Sequence, residues 1–227
     1  MVRAFVAPSA MTENQDWEEA WEYGFFAWHR PSWNPSLLRF FPLLNHDAGT
    51  KVLVPLCGKS RDMEWLLRQG YQVVGLEISG AAIEDFFRER GLEYSKTIRS
   101  GVTVWLGDNI EIWEADLFAL PDAMTDATAF YDCGAFIALP PAQHGAYVEN
   151  LMRLAPQLQS GLVMGLEYDQ SLVAGPPWSI NPEYVREKWG SWFESAELER
   201  DWDSSESARM NDKGERYAHL TIRLDRR

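Results

Sequence analysis

Gly58 and Glu77 are the residues whose types and separation point most directly to chemistry. Glycine has no side chain, so a ligand can come close to its backbone. A carboxylate can accept hydrogen bonds from both hydroxyls of one ribose. The two residues are separated by about the 20 positions that lie between glycine loop and ribose-binding acid in a nucleotide-binding βαβ unit. The elements that must position them are legible in residues 51–79. Val52, Leu53, Val54 and Leu56 form a short apolar run, as expected of a parallel strand buried on both faces. Gly58 follows, then a helix over residues 60–68 with Met63, Leu66 and Leu67 on one face and Gly70 closing it. Val73, Val74, Leu76 and Ile78 make the second strand, with Glu77 near its end.

Three ligands compete for this unit. Gly58-Lys59-Ser60 looks like the end of a P-loop, but the position where its first glycine should stand is Leu53, so the phosphate cradle is missing. A dinucleotide wants three glycines in G-x-G-x-x-G, and only Gly58 is there. S-adenosylmethionine has a ribose and no phosphate, and one glycine with one acid would serve it.

Composition narrows the partners. A formal charge of −13 argues against nucleic acid or an anionic membrane, since both need a basic face. At 227 residues the chain is long enough to bury a full core as one domain. Cys57 and Cys133 are not a disulfide framework, and a reducing cytoplasm is the expected compartment. No apolar run reaches the roughly 18 residues of a membrane span, and no metal cluster or Ser/His/Asp triad is evident.

The rest of the chain predicts an α/β fold: a mostly parallel sheet with helices on both faces. Residues 1–12 lack a periodic pattern and are expected to be a flexible lead. Residues 13–23 read as a helix with Trp17 and Trp21 stacked on one face. Either both tryptophans are core, or Trp21 lies against a ligand. Asn34-Pro35 opens a helix to about residue 44. Residues 80–90 form an amphipathic helix ended by Gly91, with Ile83, Phe86 and Phe87 facing inward. Residues 102–105 and 110–113 make a hairpin around Gly107-Asp108-Asn109. A buried strand over residues 127–132 ends in Asp132-Cys133-Gly134, a turn that belongs to the site because ligands bind beyond the carboxyl ends of such strands. A helix over residues 142–154, a strand over 162–167, a helix from Asn181-Pro182 toward Trp189 and a terminal antiparallel pair (193–200 and 216–224) complete the expectation. The acidic loop between the last two, residues 201–214, reads as solvated.

PLCGKSRDMEWL, GLEIS, EDFFRERGL, EADLFAL, YDCGAFIALPP and LEYDQSLVAGPP, in this order and spacing, closely resemble the thiopurine S-methyltransferase family, above all its bacterial members. The similarity runs from about Trp17 to Leu224. The resemblance implies a single Rossmann-like class I methyltransferase domain over 13–227, with a helical lid over 13–45 and the core over 51–227. It implies S-adenosylmethionine as cofactor, S-adenosylhomocysteine as product and a small-molecule acceptor. A monomer is expected, since no exposed apolar helix stands out in the sequence. It puts Trp21, Leu56, Gly58, Glu77, Asp116, Leu117 and Cys133 at the cofactor, and Trp28, His29 and Tyr168 on the substrate side. An aromatic face such as Trp21 near a sulfonium gains cation–π energy of roughly 0.5 to 2 kcal/mol. His29 reads equally as a structural, hydrogen-bonded histidine, and a solvated loop acid is the alternative for Asp116.

The chain departs from the family at one telling place. The family carries Asp-Arg where this chain has Asp132-Cys133. Arginine supplies a fixed charge and five donors, and cysteine supplies neither. Cys133 then reads as a small buried hydrophobe, since no Lys or Arg beside it in sequence would lower its pKa. Asp132 is the candidate catalytic residue, as a proton acceptor, or else it hydrogen-bonds its own turn. The expected reaction is methyl transfer to a small soft nucleophile, a thiol or thiopurine-like sulfur, or a selenium or tellurium species. An O- or N-acceptor with the same cofactor, and a non-catalytic cofactor-binding homologue, are the alternatives.

Overall fold

The structure is a computed structural model, and it describes residues 14–24, 29–172, 174–202 and 217–227. Its strands are β1 (Lys51–Val54), β2 (Gln72–Glu77), β3 (Ser95–Arg99), β4 (Val102–Gly107), β5 (Ile110–Glu114), β6 (Ala129–Cys133), β7 (Ser160–Glu167), β8 (Phe193–Asp201) and β9 (Ala218–Arg226). Its α-helices are α1 (Asn14–Glu22), α2 (Pro35–Phe40), α3 (Arg61–Arg68), α4 (Gly80–Arg90), α5 (Ala135–Ala138), α6 (His144–Leu154) and α7 (Pro182–Trp189). Among the described residues the strands form one sheet in the order β3-β4-β5-β2-β1-β6-β7-β9-β8.

The five inner strands, β5-β2-β1-β6-β7, pair in parallel. Their near-continuous apolar runs are what burial on both faces requires. Val52 and Val54 pack into one apolar cluster and Leu53 into the other, as alternation along a strand dictates. On the Val52 side lie α2, α3 and α4, through Leu37, Met63, Leu66, Ile83, Phe86 and Phe87. On the Leu53 side lie α6 and α7, where Trp189 stacks on Phe130 at 5.3 Å between ring centroids. The sheet grows one way through β2 and β5 and the other way through β6 and β7, so a crevice opens beside the carboxyl end of β1.

The expected helix boundaries have local causes. The side chain of Asn34 accepts from the Ser36 N–H and caps α2, with Pro35 at its first position. Ser60 caps α3 through the Asp62 N–H, and Ser79 caps α4 through the Ala82 N–H. Gly91 (φ 61°) ends α4 in the left-handed conformation that costs glycine least.

Three details differ from the sequence reading. Strand β3 pairs with β4 as a third strand of the expected hairpin. Four of its five residues are exposed and the fifth only half-buried, so it carries no alternating pattern to read. The helix expected over 142–154 begins as a 3₁₀ turn, Pro141–Gln143, and becomes α-helical only at His144. The C-terminal pair is joined to the main sheet, because β9 also runs antiparallel to β7 over its whole length. No helix among the described residues is long and apolar enough to cross a membrane. The expected lead over 1–12, Trp28, and positions 203–214 of the acidic loop lie outside the described residues.

Candidate active site

The turn after β1 is the centre of the site. Leu56 (φ 45°) and Gly58 (φ 50°) both adopt left-handed backbone there, which is uncommon for leucine and marks a constrained turn. The Cys57 N–H donates to the Leu76 carbonyl at 2.9 Å and ties this turn to β2. Glu77, at the end of β2, completes the tie. Its Oε2 accepts from the Gly58 N–H at 2.7 Å and its Oε1 from the Ser79 N–H at 2.8 Å. The carboxylate is 6% exposed. Burial raises its pKa, and the N–H groups of Ser79 and Gly58 pull it back toward the charged form. Each oxygen has two acceptor sites, so these bonds leave capacity for hydroxyls of a ligand.

Helix α1 covers this turn. A Cβ built on Gly58 would stand 2.6 Å from Cζ2 of Trp21, so the ring rests almost directly on the glycine. Both readings of Trp21 therefore meet in one place: the residue is buried, and it lines the cavity over Gly58. Asp116 caps the 3₁₀ turn Leu117–Ala119 by accepting from the Phe118 N–H at 2.9 Å, and Leu117 is buried beside it.

These residues line a cavity of roughly 1110 Å³ that spans the crevice. Trp17, Trp21, Leu56, Gly58, Glu77, Asp116 and Leu117 lie at its β1/β2 side. His29, Arg30, Asn34, Asp62, Cys133, Met164, Pro176 and Pro177 lie toward β6 and β7. Glu199, Asp201, His219 and Thr221 from β8 and β9 also border it.

The β6 side is built on a small polar network. Asp62 accepts from the Asn34 N–H and from the Tyr131 hydroxyl, both at 2.8 Å. The Asn34 side-chain amide then donates to Met164 Sδ at 3.1 Å and to Cys133 Sγ at 3.4 Å. Burial raises the pKa of Asp62. The Cys133 thiol is pushed up to about 11, first by burial and then by the nearby Asp62. It is a neutral wall of the cavity and not a nucleophile. His29 is half-buried, with its ring 6.5 Å from that of Trp21. Burial, then Lys59, lower its pKa, so the imidazole is neutral near pH 7.

Two expected site residues stand elsewhere. Asp132 is fully buried and does not border the cavity. Its Oδ1 accepts from the Phe136 N–H at 3.1 Å and its Oδ2 from the Tyr147 hydroxyl at 2.7 Å. It pins the turn into α5, and the proton-acceptor role is withdrawn. Tyr168 is also buried outside the lining, with its hydroxyl donating to the Pro177 carbonyl. It supports the 175–177 loop from behind instead of facing a substrate.

Lys59, the residue that hinted at a P-loop, is 4% exposed. Its ammonium pairs with Asp85 at 3.1 Å and Glu89 at 2.6 Å on α4. Sequence reasoning missed Arg30, Asp62 and Met164. Asp62 carries a faint signal, an acid in the first turn of α3. The Asn34–Met164 contact joins residues 130 positions apart and left none.

The chain is similar to known proteins in both sequence and fold. The family model described as thiopurine S-methyltransferase matches residues 12–226. The thiopurine S-methyltransferase of Pseudomonas putida strain KT2440 is 42% identical over 177 residues, covering 78% of this chain and 82% of that protein. That of Pseudomonas syringae pv. pisi is 44% identical over 178 residues, with the same shares. Among solved structures, the 1,6-didemethyltoxoflavin-N1-methyltransferase of Burkholderia thailandensis, with S-adenosylhomocysteine bound, superposes with a TM-score of 0.63 at 15% identity. That match covers 100% of this chain and 93% of the other. The magnesium protoporphyrin IX methyltransferase of Synechocystis PCC 6803, with bound SAM, gives 0.64 at 13% identity and covers both chains fully. With a family match over nearly its whole length and relatives above 40% identity, the chain belongs to the thiopurine S-methyltransferase family and is an S-adenosylmethionine-dependent methyltransferase.

Proposed function

We propose that the acceptor is the sulfur of a small thiol. The observation that carries this reading is the burial of Asp132 behind its turn, with both oxygens engaged. The carboxylate best placed in sequence to take a proton does not border the cavity. A thiol ionises near neutrality and needs little help from a base. The β6 side of the cavity fits a soft, largely apolar acceptor: Cys133, Met164, Ile137, Pro176 and Pro177 supply sulfur and hydrocarbon, and Asn34 one amide.

The donor set also fits the cofactor. In this reading Trp21, Leu56, Gly58, Glu77, Asp116 and Leu117 hold S-adenosylmethionine, and Cys133 borders both the cofactor and the acceptor. Glu77 is a buried acceptor suited to ribose hydroxyls. Lys59 has its charge matched by two α4 carboxylates, which suits a ligand without phosphates. When bound, the cofactor supplies a methyl group on a sulfonium as the electrophile. The chain's own residues contribute alignment and exclusion of water. Trp21 and Leu117 provide apolar faces, and the Asn34–Asp62–Tyr131 network fixes the opposite wall. Positioning of this kind supplies on the order of 7 to 11 kcal/mol of a barrier.

A second reading keeps the cofactor and moves the acceptor to oxygen or nitrogen. The neutral His29 on the cavity wall favours it, because such an acceptor needs a base. Methyl transfer to matched thiols, phenols and amines, in the wild type and in His29→Gln, separates the two. The thiol reading expects thiols to be methylated with kcat reduced only a few-fold by the substitution. Methylation confined to phenols or amines, and abolished in His29→Gln, would favour the second reading.

A further inference from the structure

One row of side chains crosses the sheet from β6 to β8. Cys133 on β6 pairs in register with Met164 on β7, Met164 with Thr221 on β9, and Thr221 with Glu199 on β8. Residues opposite one another in a ladder share a face, so the row points one way, and all of its members border the cavity. Asn34 and helix α2 lie over it. The Asn34 amide donates to Cys133 Sγ at 3.4 Å and to Met164 Sδ at 3.1 Å. Glu199, at the other end, accepts from the Ser36 hydroxyl at 2.7 Å and from Arg39 Nη1 at 2.8 Å. Thr221 stands between these contacts and is 2% exposed. Among the described residues its hydroxyl has no hydrogen-bond partner, and it is not sealed in the core, so it opens on the cavity.

We propose that Thr221 is a specificity-determining residue that hydrogen-bonds a hydroxyl carried by the methyl-accepting thiol at the end away from its sulfur. The proposal rests on the thiol reading above. Along the row the wall changes from sulfur and hydrocarbon at Cys133 and Met164 to polar groups at Thr221 and Glu199. An acceptor whose soft end lies against the first pair brings its far end to the second. A threonine hydroxyl both donates and accepts, so it matches a ligand hydroxyl in either direction. A charged group fits less well at this end. Glu199 repels a carboxylate, and its own charge is already matched by Arg39, so it offers an ammonium little. The preference for a neutral hydroxyl then follows from Thr221.

The test is a double-mutant cycle read by calorimetric titration of the S-adenosylhomocysteine-loaded protein. The probes are 3- and 4-mercaptophenol and their counterparts with methyl in place of hydroxyl, 3- and 4-methylbenzenethiol. The proteins are the wild type, Thr221→Val, which exchanges the hydroxyl for a methyl group, and Thr221→Ser, which keeps the hydroxyl. For at least one isomer the hydroxyl-over-methyl affinity ratio should fall about tenfold in Thr221→Val, the value of one buried hydrogen bond, and stay within about twofold of wild type in Thr221→Ser. A ratio that Thr221→Val leaves unchanged for both isomers, or that Thr221→Ser loses equally, would overturn the proposal. If Thr221→Val loses its affinity for S-adenosylhomocysteine through misfolding, Thr221→Ala takes its place with the same two outcomes. S-methylation of each thiol is recorded in parallel. A Thr221-dependent ratio without S-methylation would sink the thiol reading and leave the contact standing. S-methylation with a ratio blind to Thr221 would do the reverse.

Discussion

The ring of Trp21 rests on the α-carbon of Gly58, so closely that a methyl group there would come within 2.6 Å of Cζ2. Helix α1 and the β1 turn are thereby fitted to each other, and the fit needs a residue with no side chain. Gly58 also sits at φ 50°, where any L-residue is strained.

Gly58→Ala should therefore weaken S-adenosylhomocysteine binding at least tenfold, from strain and displacement of the tryptophan together. Adding Trp21→Ala should recover the steric part and leave the strain. Calorimetry of the single and double variants measures both, and strictly additive losses would show that the two residues do not share the contact.

Glu77→Gln tests the clamp between the two strand ends. An amide offers one acceptor oxygen to the two N–H groups of Gly58 and Ser79, so one buried donor must face an NH₂. The expected cost is about 1–3 kcal/mol in urea unfolding, with a parallel loss of S-adenosylhomocysteine affinity. Unchanged stability would mean that the clamp is dispensable to the fold.

The glycine–acid pair was legible from residue types because its members sit at fixed places in a βαβ unit. Trp21 was legible through the family likeness, while its seat on Gly58 was not. The strands β1, β2 and β6 and the caps at Asn34, Gly91 and Asn181 were legible because periodicity and turn chemistry are local signals. The wall made by Asn34, Asp62, Cys133 and Met164 was not, since each contact joins residues far apart in the chain. Asp132 was misread for a related reason. Its place at the end of a strand marks the site region, but whether the side chain turns into the cavity or back into its own turn depends on Tyr147, two helices later in α6.

Burial raises the folded-state pKa of Asp132 from an ordinary 3.8 to about 6. A raised carboxyl pKa contributes stability that is complete below the unfolded value and is lost as pH rises through the folded one. Wild-type stability should thus fall between about pH 4 and pH 6 by on the order of 2–3 kcal/mol from this group. Asp132→Asn should flatten that slope in thermal unfolding at stepped pH. Because Asp132 lies outside the cavity, the variant should also keep its methyl transfer within a few-fold. Loss of turnover by a hundredfold with intact folding would restore the catalytic role withdrawn above.

Both cysteines should resist alkylation. Burial is the first cause that raises the thiol pKa of Cys57 and Cys133, to about 11 for the latter. The reactive thiolate is then scarce at pH 8. Mass spectrometry after iodoacetamide treatment should find neither modified on the timescale that consumes free cysteine. Cys133 borders the cavity, so its resistance rests on the raised pKa, and rapid labelling would mean that its thiol ionises far more readily than that value allows.

The most direct test of the central claim is calorimetric titration of the protein with S-adenosylmethionine and S-adenosylhomocysteine, with ATP and NAD as controls. The site built on Gly58, Glu77 and Trp21 predicts micromolar binding of the first two and none of the controls. Binding of ATP or NAD in their place, or of none of the four, would contradict it.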